Sequence, residues 1–246
     1  MAVAIIEQMF ENKLMPSMPV FGKHSNDGAK IHLLRSRIRK IENSTTDSSF
    51  FPMDSALMGL FPKGGLSKGA SYSLDSSTSL LWSLVAESTK QGIWCAIIGV
   101  PNLGMGIAEE LGVNINRVVL IPSPGPKWMA VLGDLIETVG ICVLGSFSAP
   151  GATQLSTLHS RLRNHKTSLL VRANWPNSKT SFAVTHQWSG VRSGEGLLQT
   201  HHLHITAKSH SGEAIRSCDV LITDTGLHKK SNRAQVINMP QILKAK

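Results

Sequence analysis

A chain of 246 residues, 41% hydrophobic and 17% charged, has room for one domain with a sizeable core plus terminal extensions, and its composition excludes a disordered protein. No apolar run reaches the roughly 18 residues of a membrane span, and the start lacks the basic lead of a signal peptide, so a cytoplasmic location is expected. The formal net charge of +9 sits at the ends: Ile41 to Gly226 holds 13 Lys/Arg against 13 Asp/Glu, while 22–40 and the tail after Gly226 are basic.

The first residues, Val3 to Leu14, read as a helix that Pro16 and Pro19 break. Ile31, Leu34, Ile38 and Ile41 recur at intervals of three and four, which predicts an amphipathic basic helix, and Glu42 to Ser49 follows as a polar linker. The domain organisation expected is a basic helical extension over 1–49, a core over 50–226 and a basic tail over 227–246. In the core, strands at Ala70–Leu74, Ile93–Val100, Arg117–Ile121, Gly140–Gly145 and Thr167–Arg172 alternate with helices at Ser77–Lys90, Gly106–Leu111, Pro126–Thr138 and Thr153–Lys166. That order predicts an α/β fold with a mostly parallel sheet covered by helices. The pattern then changes to a hairpin of Ser181–Val191 and Leu197–Lys208, and a last strand at Cys218–Thr223, so the sheet is expected to end in antiparallel strands. Cys95 and Cys142 lie in apolar strand-like runs, and three cysteines do not pair evenly; the thiols are read as reduced.

In a parallel sheet the ligand site lies at the carboxyl ends of the strands, here the turn Asp75, Ser76, Ser77, Thr78 and Ser79. A phosphate-binding loop needs glycines to wrap the phosphates, a lysine on the β/γ oxygens and Ser/Thr on magnesium. This turn has no glycine and no lysine, and it carries Asp75 where phosphate would sit, so its hydroxyls are read as helix caps. No cofactor and no metal are expected. His201, His202 and His204 have no Cys or acid beside them in sequence and read as an exposed strand edge. Trp82, Trp94 and Trp128 are assigned to the core, whereas Trp175 and Trp188, at a turn and on the hairpin, are candidate partner anchors.

Cys95–Asn102 followed by Ala108–Leu120, with the Leu-Gly-Val phrase at 111–113, resembles the RecA/RadA core. Phe61–Gly69 is similar to that family's entry into its phosphate-loop strand, and Val139–Ser146 to its Walker B strand. The resemblance covers about Phe50 to Thr225 and implies a RecA-like three-layer core. It places Pro101 where the family has its catalytic glutamate and Gly145 where it has the Walker B aspartate, so it implies a core without ATPase machinery. Among degenerate relatives, Trp94–Gly99, Pro122–Trp128 and Ala173–Pro176 look most like the actinobacterial ImuA-type mutasome proteins. That resemblance implies an adaptor for an error-prone polymerase complex in translesion synthesis, with the polymerase components as partners. A SulA-like division inhibitor and an ATPase with an unorthodox loop are the alternatives. The counterparts of the family's DNA-binding loops are short and poorly charged, so DNA contacts are assigned to Arg35, Arg37, Arg39 and Lys40, or to Lys229, Lys230 and Arg233. The helix around Leu34 is a candidate arm for self-association.

Overall fold

The computed structural model describes residues 49–61, 63–190, 200–210, 215–223 and 226–229. Arg35, Arg37, Arg39, Lys40, Lys230 and Arg233 lie outside them, as do the N-terminal helices expected from the sequence. A short antiparallel pair, β1 (Phe50–Phe51) and β2 (Leu66–Ser67), precedes the main sheet. The sheet then takes β3 (Ser71–Leu74), β4 (Cys95–Ile98), β5 (Val118–Ile121), β6 (Ile141–Leu144), β7 (Ser168–Val171), β8 (Thr180–Ser189), β9 (Thr200–Ser209), β10 (Arg216–Thr223) and β11 (Gly226–Lys229). Its helices are α1 (Thr78–Lys90), α2 (Met105–Glu110), α3 (Trp128–Ile136) and α4 (Ala152–His165).

The spatial order of the nine strands is β11-β10-β9-β8-β3-β7-β6-β4-β5. From β8 to β5 every pairing is parallel; from β8 to β11 every pairing is antiparallel. This is the fold class expected from the sequence. The chain moves outward from β3 to β4 and β5 through α1 and α2, then returns to β6 and β7 through α3 and α4. Right-handed crossovers in opposite directions put the two helix pairs on opposite faces. Two apolar clusters follow from this. Leu80, Leu81, Leu84, Val85, Ala108 and Leu111 pack against one face of the sheet. Leu132, Ile136, Leu155, Leu158 and Leu162 pack against the other. Strands β4, β6 and β7 are buried at every position, which is why their sequences are continuous apolar runs without alternation.

Strands β8 to β10 do alternate. Phe182, Leu203, Ile205, Ala207, Val220 and Ile222 join the first cluster, with Leu57, Leu60 and Leu66 packed there too. The opposite face of these strands carries Ala183, Thr185, Gln187, His204, Lys208 and Asp219, all exposed. The expected edge position of the three histidines is overturned: β9 is internal, paired with β8 on one side and β10 on the other. His201 shares the apolar face and is 4% exposed. The residues assigned to the start of the tail also take part in the sheet, since Leu227 to Lys229 lie in β11 and pair with β10.

Candidate functional site

The strand order sets where a ligand crevice belongs. The chain leaves β3 in one direction and β7, its neighbour, in the other, so the crevice lies beyond the carboxyl ends of these two strands. Three residues, Asp75, Ser76 and Ser77, connect β3 to α1 there, and Arg172 to Lys179 connect β7 to β8.

The β3–α1 turn is closed on itself. Asp75 Oδ1 accepts from Ser77 N at 2.8 Å, and Oδ2 accepts from Val184 N at 2.6 Å. The Asp75 amide donates to Phe182 O at 3.2 Å, so both backbone and side chain fasten this residue to β8. Ser77 is the N-cap of α1: its Oγ accepts from Leu80 N at 3.1 Å. Arg172 reaches from the end of β7 to donate through Nη2 to Ser76 O. Burial lowers the Arg172 pKa, and the Asp75 charge works against that shift. Two amides at the start of α1 that would face an anion, those of Ser77 and Leu80, are thus taken by the protein's own oxygens. The sequence puts Asp75 where a phosphate would sit, as a repulsive charge. Its carboxylate instead turns inward and serves as the anion for this helix end.

Ser73, on the same strand, ties the crevice to the β7–β8 connection. Its Oγ accepts from Trp175 N at 2.9 Å and donates to Ser178 Oγ at 3.0 Å. This turn carries the Trp175 ring into the second apolar cluster, where it is 1% exposed. Trp175 as an exposed partner anchor is therefore overturned: the Asn174–Pro176 turn folds back, and the ring caps the core. Trp188 is 51% exposed on the hairpin. It stacks on His201 with centroids 3.7 Å apart and ring planes 5° from parallel. His201 Nε2 in turn lies 2.8 Å from His186 Nδ1. Burial first, then the neighbouring His186 and His202, bring the His201 pKa down to about 4.

Pro101 and Gly145, the positions that the resemblance sets against the acids of an ATPase, lie further along the same edge. Pro101 is exposed just past β4. Gly145 ends β6 so close to β4 that a Cβ on it would stand 2.1 Å from Gly99 O. Gly99 has a φ of +70°, and a Cβ there would meet the Phe147 ring at 2.2 Å. Phe147 stacks on Trp128 at 4.8 Å. Glycine is required at both positions because the carboxyl ends of β4 and β6 touch through backbone and aromatic ring, leaving no space for a carboxylate at 145. Among the described residues, no group of three or more His, Cys, Asp or Glu is arranged to hold a metal ion, and no helix is long and apolar enough to cross a membrane. Trp82 is fully buried, whereas Trp94 and Trp128 are partly buried against the second cluster. Lys229 is exposed at the end of β11. The sequence signals missed here are Arg172 and Val184, whose parts in the turn depend on strand order.

The architecture and the crevice define a RecA-like α/β protein. Comparison with known proteins agrees. The chain is 28% identical to Protein RecA of Ehrlichia canis over 186 residues, covering 68% of this chain and 50% of that protein. It is 30% identical to Protein RecA of Ehrlichia chaffeensis over 165 residues, covering 60% and 46%. A family described as the MT3502 N-terminal domain matches residues 59–177. Over 88 residues the chain is 38% identical to the uncharacterized protein Rv3395c of Mycobacterium tuberculosis, covering 35% of this chain and 43% of that protein. The chain spans half or less of the length of these curated relatives.

Proposed function

We propose that this chain is a non-catalytic RecA-related accessory protein that works by binding protein partners. The observation that carries the reading is the β3–α1 turn, where the amides of Ser77 and Leu80 are already taken by Asp75 and Ser77. Phosphoryl transfer depends on cradling the phosphates, placing a metal and orienting the nucleophile. Here the turn is three residues long with no lysine, Gly145 has no room for a carboxylate, and Pro101 offers no base. A triphosphate would have to displace Asp75 from two backbone donors and then face its charge. Bonds to a charged group are worth about 1.5–3 kcal/mol each, so the displacement opposes binding strongly.

The ImuA-like phrases at Trp94–Gly99, Pro122–Trp128 and Ala173–Pro176 favour a place in DNA damage-induced mutagenesis, as an adaptor for an error-prone polymerase complex. The relation to RecA supports a role in DNA repair or recombination generally. Exposed Trp188, held rigid against His201, suits a partner anchor. The test is affinity capture of the translesion polymerase components by the full chain from damaged cells, with and without nuclease. Capture that survives nuclease supports the adaptor reading. Failure to capture any of these components, with damage-induced mutagenesis intact when the chain is deleted, contradicts it.

A further inference from the structure

The three layers of this fold are incomplete. On the face covered by α3 and α4, α4 is the last helix, reaching only as far as β3, where His159 Nε2 lies 3.3 Å from Ser71 Oγ. Beyond it the same face of β8, β9 and β10 is bare among the described residues. Its floor is made of Ser181, Ala183 and Thr206, small side chains at paired register positions. The step from this floor up to α4 is one helix layer high, about 10 Å.

Three cations border the step. Arg163 projects from the last turn of α4 and is exposed. Lys179 precedes β8, and Lys208 lies opposite Ser181 on β9; both are exposed. Strands β8, β9 and β10 contain a single described acid, Asp219, whose Oδ1 lies 2.8 Å from His204 Nδ1. The floor is therefore electropositive although the core as a whole is neutral. Ile215, 67% exposed, adds an aliphatic side chain next to the start of β10.

We propose that this ledge is a docking site for an acidic amphipathic helix of a partner protein, laid beside α4 so that it completes the helix layer. The inference rests on the reading that the chain acts through protein partners, and adds where and by what chemistry. Charge complementarity selects acid, the height of the step selects a helix, and the small floor residues permit close approach. The basic stretches of this chain, 22–40 and the tail after Gly226, carry the same sign of charge as the ledge. A nucleic-acid strand fits less well, because Ser181, Ala183 and Thr206 present no ring on which bases could stack, and the rings of this face, His202 and His204, lie further along β9.

The experiment measures fluorescence anisotropy with two probes, a labelled Glu-rich amphipathic helical peptide and a labelled short DNA duplex. Both are titrated with the full chain, with Arg163→Glu/Lys179→Glu/Lys208→Glu, and with Arg35→Gln/Arg37→Gln/Arg39→Gln/Lys40→Gln. The ledge variant is expected to bind the peptide at least about tenfold more weakly while the N-terminal variant changes it less than about threefold. Thermal melting checks the fold; should the reversal variant melt early, Lys179→Gln/Lys208→Gln takes its place with an expected loss of about threefold. Peptide binding unchanged by either ledge variant overturns the proposal. So does an effect confined to the N-terminal variant, or an equal loss of duplex binding in the ledge variant. Nucleotide binding plays no part in these readings, so a failure here leaves the argument about the β3–α1 turn standing.

Discussion

Asp75 accepts from the amides of Ser77 and Val184, and so joins the start of α1 to the middle of the sheet. Replacing it by alanine removes both acceptors, and Asp75→Ala is expected to lower stability by about 2–3 kcal/mol in urea unfolding. Gly145→Asp is the complementary substitution. If that position were simply missing its acid, the change would be tolerated; with Gly99 O only 2.1 Å from the new Cβ, it should instead cost about 3 kcal/mol or more. His201 adds a pH dependence. Its folded pKa of about 4 lies below the ordinary imidazole value of about 6.5, so the unfolded chain binds the proton first as pH falls. The stability this neutral imidazole contributes is complete above about pH 6.5 and is lost as pH drops toward about 4. Urea midpoints of the wild type and His201→Asn should therefore converge over that window. At this scale the sequence was legible only in part. The absence of glycine and lysine at 75–79 could be read directly, but the inward turn of Asp75 could not, because Val184 is more than a hundred residues away.

The elements were more legible. Apolar runs located β4, β5, β6 and β7, since strands whose side chains are nearly all buried have no polar side to show. The Ser77 cap was among the hydroxyls expected at the start of α1, and Ser77→Ala should cost about 1 kcal/mol. Very short strands were not legible: β1 and β2 are two residues each, too brief for any periodicity. The edge reading of β9 failed because side-chain alternation reports which face is buried and is silent on which strands flank it. The two tryptophans assigned alike by sequence separate at this scale. Trp175→Ala should cost about 3–5 kcal/mol through the cavity it leaves. Trp188→Ala, at a half-exposed ring, should leave stability nearly unchanged and weaken partner capture instead, as thermal melting and a pull-down would separate.

Across the whole molecule, one switch in sheet direction places β8 between a parallel half and an antiparallel half, and the crevice lies beside it, at the carboxyl ends of β3 and β7. A RecA-like fold keeps the crevice while the residues at its mouth now bond to each other: Asp75 to β8, Arg172 to Ser76, Ser73 to the turn that buries Trp175. The carboxyl ends of β4 and β6 close through Gly99, Gly145 and Phe147. Isothermal titration of the full chain with Mg-ATP tests this account most directly. No heat of binding is predicted at ATP concentrations up to the millimolar range. A dissociation constant in the micromolar range, abolished by a substitution in the β3–α1 turn, would contradict it.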